Sequence, residues 1–328
     1  MLKIGVLGAG HLGKIHIKCI KEVDRYDLVG FYDPDPVTAK AVEQELQVPC
    51  FDSVDALIEA VEVVDIVTPT VQHFYCASKA LKRRRHVFIE KPIVATPDEA
   101  NQLIKLSEEA GVKVQVGHVE RFNPAFIAAE PFLKNPKFVE AHRLALFNPR
   151  GTDVPVVLDL MVHDLDILFT IIDAPVTRVS ACGVAVVSDT PDITNARIEF
   201  ANGAVANLTS SRISFKNMRK TRIFQDDAYI TIDFLEKKTE ITRIHDKEES
   251  GYPYSLTLDL PNGATKQITL ERPTIHPLNA IQTELESFYD SIIHNTTPVV
   301  SIQDGVRVLK LAYEILKSVD ASAQQMKN

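Results

Sequence analysis

The first third of the chain alternates short apolar runs with longer stretches in which apolar residues recur at helical spacing. The short runs predict strands at Ile4–Leu7, Leu28–Tyr32, Val63–Val67, Val87–Ile89 and Val112–Val116. The longer stretches predict helices at Leu12–Val23, Val37–Leu46, Val54–Ala60, Val71–Lys82 and Pro97–Ala110. Several strands are apolar at consecutive positions, which is typical of a parallel sheet with helices on both faces. Residues 1–120 are therefore predicted to form a doubly wound α/β domain.

The pattern changes near residue 118. Residues 118–175 indicate helices with one strand near Phe138–Phe147, and residues 176–270 indicate strands joined by short turns. Hairpin turns are predicted at Asn202-Gly203 and Asn262-Gly263. Helices are predicted again at Pro277–Ile293 and Ile302–Val319. Residues 121–328 are therefore expected to form an α+β domain on a large open, mainly antiparallel sheet, with final helices that can pack back on the first domain.

The composition excludes several classes of protein. Apolar residues make up 45% and charged residues 24% of the 328 positions, which is ordinary for a globular chain of two domains. The net charge is −8 and no long basic block occurs, so nucleic acid is not an expected partner. Neither a membrane span nor a signal peptide is recognised, so a cytoplasmic location is expected. The four scattered cysteines lack the spacing of a zinc site.

A glycine-rich turn separates the first predicted strand from the first predicted helix. The segment Gly8-Ala9-Gly10-His11-Leu12-Gly13 follows the pattern GxGxxG. Glycines here permit a tight turn and let a pyrophosphate approach the N–H groups at the helix start. The turn therefore predicts a Rossmann dinucleotide site that includes Gly8, Gly10, His11, Leu12 and Gly13.

Asp33 ends the second predicted strand, 20 residues after Gly13. A carboxylate at this place can accept hydrogen bonds from the adenosine ribose hydroxyls and repels the 2′-phosphate of NADP. NAD is therefore the expected cofactor. NADP remains the alternative, because neighbouring residues can override one acid.

Two further segments follow strands at the carboxyl edge, where doubly wound sheets bind ligands. Thr68 is expected to contact the cofactor, and His73 is a second candidate. For His73, a structural role at the start of the helix with no ligand is an equal alternative.

Glu90-Lys91-Pro92 follows the strand Val87–Ile89. Lys91 beside a nicotinamide can hydrogen-bond a substrate hydroxyl and share its proton. Glu90 and Lys91 are both expected to contact the cofactor. Taken alone, the tripeptide would indicate a surface salt bridge.

Asp159, His163 and Asp166 are spaced i, i+4, i+7, which predicts one face of a helix. Apolar neighbours indicate that the segment is largely buried, so the polar stripe needs partners, and a polar cleft would supply them. His163 would act as general base or acid, and Asp159 would orient it or bind a neighbouring hydroxyl. No third ligand stands at a recognisable spacing, so no metal site is predicted.

The segment Gly117–Pro124 enters the second domain and is rich in polar residues. His118, Arg121 and Asn123 are candidate substrate-binding residues. For Arg121 and Asn123, a structural role at the junction between the domains is an equal alternative.

The order of the glycine turn, Glu-Lys-Pro and Asp-x-x-x-His resembles the glucose-fructose oxidoreductase, inositol dehydrogenase and rhizopine-catabolism family (Gfo/Idh/MocA). The resemblance covers essentially the whole chain. It implies that Lys91, Asp159 and His163 form the catalytic group, and that the chain associates as a homodimer or homotetramer through its open sheet. The segments 117–124 and 159–166 resemble the sugar-nucleotide branch, which includes UDP-N-acetylglucosamine 3-dehydrogenases.

The leading hypothesis is an NAD-dependent dehydrogenase that moves a hydride between nicotinamide and a secondary hydroxyl of a sugar or sugar nucleotide, such as the 3-hydroxyl of UDP-N-acetylglucosamine. His163 would take the proton and Lys91 would hold the oxygen, or these two roles would be exchanged. The alternatives are an inositol or polyol dehydrogenase, a non-catalytic NAD-sensing protein, and a carbon–carbon or imine-type reductase.

Overall fold

A computed structural model describes residues 1–148, 154–246, 252 and 254–325 of the chain. The strands within these residues are β1 Leu2–Leu7, β2 Tyr26–Tyr32, β3 Val63–Ile66, β4 His86–Glu90, β5 Val114–Gly117, β6 Phe138–Leu144, β7 Val176–Val184, β8 Ile193–Phe200, β9 Val205–Ser211, β10 Met218–Phe224, β11 Ala228–Asp233, β12 Lys238–His245, β13 Tyr254–Asp259 and β14 Thr265–Glu271. The α-helices are α1 His11–Glu22, α2 Pro36–Leu46, α3 Val54–Ala60, α4 Thr70–Lys82, α5 Pro97–Ala110, α6 Pro124–Ala129, α7 Val162–Ile171, α8 Ala280–Ile293 and α9 Ile302–Gln325.

The contacts within the chain divide it into two units. One unit contains Met1–Val119 and Asn279–Lys310, and the other contains Glu120–Leu278 and Leu311–Asn328. No helix among the described residues is long and apolar enough to cross a bilayer.

The first unit is built on a parallel sheet with the strand order β2-β1-β3-β4-β5. A single parallel bridge, Phe31 to Cys50, extends it beyond β2, and an antiparallel bridge, Gln115 to Ser301, extends it beyond β5. The strand order reverses at β1, so the loops that follow β1 and β3 flank the crevice where doubly wound sheets bind ligands.

The predicted elements of residues 1–117 are confirmed, and their ends agree within two residues. Local signals explain this agreement. Helix α5, for example, begins with a capping box between Thr96 and Glu99, and Gly111 ends it in the left-handed region at φ 66°. The four residues of β3 are all buried, as expected for a strand covered on both faces.

The second unit contains a mixed sheet with the order β13-β14-β12-β11-β10-β6-β9-β8-β7 over the described residues. Strands β6 and β9 run parallel, and every other neighbouring pair is antiparallel. Both predicted hairpins are confirmed, because β8 pairs with β9 and β13 pairs with β14. Gly203 (φ 85°) and Gly263 (φ 78°) adopt the positive φ that these turns require.

Burial alternates along β6, where Val139, Ala141 and Arg143 are buried on the face against which α7 packs. The predicted strand at Phe138–Phe147 is shorter in the structure and ends at Leu144. The predicted helix start at Pro277 is also wrong. Helix α8 begins at Ala280, because the side chain of Asn279 caps it by accepting a hydrogen bond from the Ile281 N–H at 3.1 Å.

The packing of α9 against β5 yields a test of the first unit. A Cβ at Gly305 would lie 2.7 Å from Cγ2 of Val116. Alanine favours a helix over glycine by about 1 kcal/mol, but overpacking a core costs about 1–3 kcal/mol. We expect Gly305→Ala to lower the free energy of unfolding in urea. Val116→Ala makes room, so the double variant should be more stable than the sum of the two single losses predicts. Strictly additive losses would contradict the close contact.

Candidate active site

The three glycines of the first turn meet different surroundings. Gly8 has φ 94°, and a Cβ there would lie 2.7 Å from the carbonyl oxygen of Val67. A Cβ on Gly13 would lie 2.1 Å from the carbonyl oxygen of Gly8. The protein's own backbone therefore requires glycine at these two positions. At Gly10 a Cβ would meet nothing within 4 Å. This open position beside the start of α1 fits the close approach of a dinucleotide pyrophosphate.

The carboxylate of Asp33 lies at the same turn. Its Oδ2 accepts a hydrogen bond from the N–H of Ala9 at 2.7 Å, and its Oδ1 accepts one from the N–H of Asp35 at 3.0 Å. The predicted acid and the predicted glycine turn are thus joined directly. The residues that would hold a dinucleotide are therefore present and brought together in one unit.

His73 connects two of the loops that follow the strands. Its Nε2 lies 2.9 Å from the carbonyl oxygen of Thr68, and its Nδ1 lies 3.0 Å from the carbonyl oxygen of Pro92. The ring is buried, and burial lowers the pKa of His73 against the weaker opposing effect of these carbonyl groups. The geometry gives His73 a structural role in holding Thr68 and the Lys91-Pro92 segment, whose peptide bond is cis.

Glu90 is buried at the end of β4, so the interpretation of the tripeptide as a surface salt bridge is wrong for its acid. Oε1 of Glu90 lies 3.1 Å from Nε2 of His16 on α1, and Nδ1 of His16 lies 2.9 Å from Oδ2 of Asp65 on β3. The Nε2 contact is at ion-pair distance but is poorly aligned for a hydrogen bond. Oε2 of Glu90 accepts a hydrogen bond from the N–H of Lys91 at 3.1 Å.

The pKa values of this group follow from burial and charge. Burial alone would lower the pKa of His16, but the charge of Asp65 and the hydrogen bond to it outweigh burial and raise that pKa well above its ordinary value, with a further contribution from Glu90. Burial alone would raise the pKa of Glu90, but His16 and the neighbouring Lys91 lower it. These opposite shifts of the pKa favour a protonated His16 beside an ionised Glu90.

In the second unit, Asp159 and His163 lie on either side of a change in helix type. Asp159 belongs to a π-helical turn, Val157–Met161, and His163 belongs to the first turn of α7. Both residues are partly buried. The prediction of one regular helix is therefore wrong at Asp159. Single π turns are frequent at functional sites, because they change the direction in which a side chain points.

Asp166 has a side-chain partner in the same unit, so the polar cleft predicted beside this helix is not needed to explain Asp166. Its two carboxylate oxygens accept hydrogen bonds from Nε (2.8 Å) and Nη2 (2.6 Å) of Arg121. This two-pronged pair fixes Arg121 to α7 within the second unit. This contact gives Arg121 a structural role inside the second unit, and its predicted roles in substrate binding and at the domain junction stay predictions.

A second buried network fixes the same elements. Arg143 on β6 donates to Asp164 on α7 at 2.9 and 3.0 Å and to Glu120 at 2.9 Å. Glu120 in turn accepts a hydrogen bond at 2.9 Å from Asn123, which also caps α6 and donates to the carbonyl oxygen of Phe234. Burial alone would lower the pKa of Arg143, but the two carboxylates hold that pKa above its ordinary value.

The sequence reasoning singled out neither His16 nor Asp65 nor Arg143. A signal was present for two of them. Asp65 interrupts an apolar strand that is buried on both faces, and His16 lies on the apolar side of α1 next to Ile17 and Ile20. Each marks a buried polar group that must have a partner. His118 was a candidate, and it is buried directly after β5. The described residues contain no group of three or more His, Cys, Asp or Glu side chains arranged to hold a metal ion.

Comparisons with family models, related sequences and solved structures agree with one another. Residues 2–118 match the oxidoreductase family with an NAD-binding Rossmann fold, and residues 143–231 match the Gfo/Idh/MocA C-terminal domain. A UDP-N-acetylglucosamine 3-dehydrogenase of Acidithiobacillus ferrooxidans is 34% identical over 325 residues, which are 99% of each chain. A solved structure of that enzyme superimposes with a TM-score of 0.88 over 98% of each chain. An inositol 2-dehydrogenase of Rhizobium meliloti is 24% identical over 98% of each chain.

The network around Arg143 can be tested against a surface pair of the same sheet. Arg143→Met would remove the buried cation that bonds to both Asp164 and Glu120 and would leave only the half-exposed Arg219, 3.8 Å from Glu120. Breaking a buried pair in this way costs about 3–5 kcal/mol. The control, Arg222→Met, breaks the partly exposed pair with Glu140 (3.0 Å), which should cost less than about 1 kcal/mol. Unfolding in urea measures both. Equal losses would contradict the importance of burial.

Proposed function

The chain belongs to the Gfo/Idh/MocA family of oxidoreductases, and on this premise we propose that it is an NAD-dependent dehydrogenase of a sugar nucleotide. The proposed reaction oxidises a secondary hydroxyl, and the 3-hydroxyl of UDP-N-acetylglucosamine is the first substrate to test. The observation that carries the proposal is the 34% identity to a UDP-N-acetylglucosamine 3-dehydrogenase over 99% of both chains. The presence of Lys91, Asp159 and His163 supports a catalytic protein over a non-catalytic sensor.

The glycine turn and Asp33 would hold the cofactor. Backbone N–H groups at the start of α1 would bind the pyrophosphate beside Gly10, and Asp33 would accept hydrogen bonds from the adenosine ribose. When bound, the nicotinamide accepts or returns the hydride. The preference for NAD over NADP rests on the negative charge of Asp33.

The remaining chemistry is the movement of one proton. We propose that Lys91 binds the reacting oxygen of the substrate, because its ammonium can stabilise the alkoxide that develops as hydride leaves. We propose that His163 takes the proton of the substrate hydroxyl, because imidazole is the side chain best suited to acid–base catalysis near neutral pH. Asp159 would orient His163. In the reverse direction, the same groups return the proton to the carbonyl oxygen.

The substrate and the catalytic residues can be tested in one assay of NADH formation. Wild-type protein should turn over UDP-N-acetylglucosamine with NAD, and Lys91→Met and His163→Gln should each lower kcat by about 100-fold or more, since positioned acid–base groups contribute about 10²–10⁴-fold. Lys105→Met, on the exposed side of α5, is the matched control and should keep wild-type kcat. Turnover of inositols but not UDP-sugars would assign the polyol alternative, and unchanged kcat in both site variants would overturn the residue assignment.

Cofactor choice gives a separate test. Replacing Asp33 by serine removes the charge that repels a 2′-phosphate, so Asp33→Ser should raise the KM for NAD and lower the KM for NADP. The ratio of kcat/KM for the two cofactors should move toward NADP by about 10-fold, which corresponds to about 1.4 kcal/mol. Asp27→Ser, on the exposed side of β2, is the control. An unchanged ratio would show that other residues determine the preference.

A further inference from the structure

Three ionisable side chains meet in the interior of the first unit. They are His16 on α1, Asp65 on β3 and Glu90 at the end of β4. All three are buried, and the His16 ring also packs edge-on against Phe88 with the ring centres 5.8 Å apart. None of the three belongs to the proposed catalytic group of Lys91, Asp159 and His163.

The geometry around His16 favours its charged form. A carboxylate oxygen lies near each ring nitrogen, at 2.9 Å from Nδ1 and 3.1 Å from Nε2. A neutral imidazole carries one N–H, so one of its nitrogens would present a lone pair to a carboxylate oxygen. An imidazolium carries two N–H groups and suits both neighbours. His16 is therefore best described as a cation held between Asp65 and Glu90.

The carboxylate of Glu90 connects His16 to the backbone of Lys91. One carboxylate oxygen faces His16, and the other accepts the hydrogen bond from the N–H of Lys91. The backbone of Gly117 on β5 closes the remaining side, because a Cβ there would lie 2.8 Å from Cδ of Glu90. The carboxylate is therefore restrained by an ion on one side and by a strand on the other, and the backbone of Lys91 is bonded to it.

We propose that His16 is a positioning residue for Lys91, acting as an imidazolium between Asp65 and Glu90 that fixes the Glu90 carboxylate and, through it, the Lys91 backbone. This inference rests on the proposed role of Lys91 in the dehydrogenase. If His16 loses its proton, the Glu90 carboxylate faces an uncharged ring and loses its restraint. Misplacement of Lys91 would then lower kcat more than it changes the KM for NAD.

The expected pH dependence follows from the groups that surround His16. Asp65 and Glu90 face the ring, Cys19 lies near it on the same helix, and the positive charge of Lys91 acts on Glu90. Because the pKa of His16 is raised, its contribution to stability is complete below pH 6.5 and is lost as the pH rises through the raised value. Asp65→Asn removes the main source of the upward shift, so His16 should lose its proton at a lower pH.

The test compares Asp65→Asn and His16→Gln with wild type in the NADH assay over a range of pH. His16→Gln should lower kcat by about 10- to 100-fold, since small misplacements of reacting groups have effects of this size. In Asp65→Asn, kcat should begin to fall at a lower pH than in wild type. The KM for NAD should change little in both variants. Phe88→Leu, which removes the ring that packs on His16, is the control and should lower the thermal midpoint while keeping kcat and its pH profile.

A double variant tests whether His16 acts through Glu90. If it does, His16→Gln combined with Glu90→Gln should be no slower than the slower single variant, because both changes break the same link. Multiplied losses would overturn the proposal. The proposed role of Lys91 fails separately, if Lys91→Met keeps wild-type kcat, and the proposed function fails if the wild-type protein forms no NADH from UDP-N-acetylglucosamine. If Lys91→Met is inactive while folded His16→Gln and Asp65→Asn keep wild-type kcat and pH profiles, only the role of His16 is overturned.

A measurement on the wild-type protein covers the case in which these variants do not fold. In the spectrum of protein labelled with ¹⁵N-histidine, one imidazole should keep both ring protons at a pH where exposed histidines are neutral. This signal should be present with and without NAD. A spectrum in which every histidine is neutral at that pH would overturn the proposal.

Discussion

Burying a charge is costly unless an opposite charge meets it, and this constraint determines how both units hold their polar residues. In the first unit, His16 from α1 lies between carboxylates from β3 and β4. In the second unit, Arg143 from β6 lies between Asp164 on α7 and Glu120. Each network joins three segments of the chain, so the segments that carry Lys91 and His163 are fixed by paired charges as well as by apolar packing.

The parallel sheet explains why candidate cofactor residues that are far apart in the sequence lie at the same edge of the sheet. Residues 8, 33, 68 and 91 each follow a different strand, and all these strands run in the same direction. The interior of such a sheet has no room for unpaired polar groups, so they collect at the carboxyl edge. Direct contacts then connect the loops, since the N–H of Ala9 donates to Asp33 and the ring of His73 lies between the carbonyl oxygens of Thr68 and Pro92.

The sequence was sufficient for the elements of the first unit, because periodicity, caps and glycines are local signals. It was also sufficient for the glycine turn and Asp33, whose spacing is set by one strand-helix-strand unit. It was not sufficient where a residue's role depends on a distant partner. The pairing of Asp166 with Arg121 joins residues 45 positions apart, and the π turn at Asp159 depends on packing that periodicity does not record. For the same reason, His16 and Asp65 were missed.

The absence of a side chain at Gly117 has a consequence for how this protein can change. A strand usually accepts alanine in place of glycine, but here the added methyl group would occupy the space of the Glu90 carboxylate. The two positions on neighbouring strands are therefore coupled, and a larger residue at one requires a smaller residue at the other. In a comparison of many related chains, we would expect these positions to vary together. A redesign of the Glu-Lys-Pro segment would have to begin on the adjacent strand.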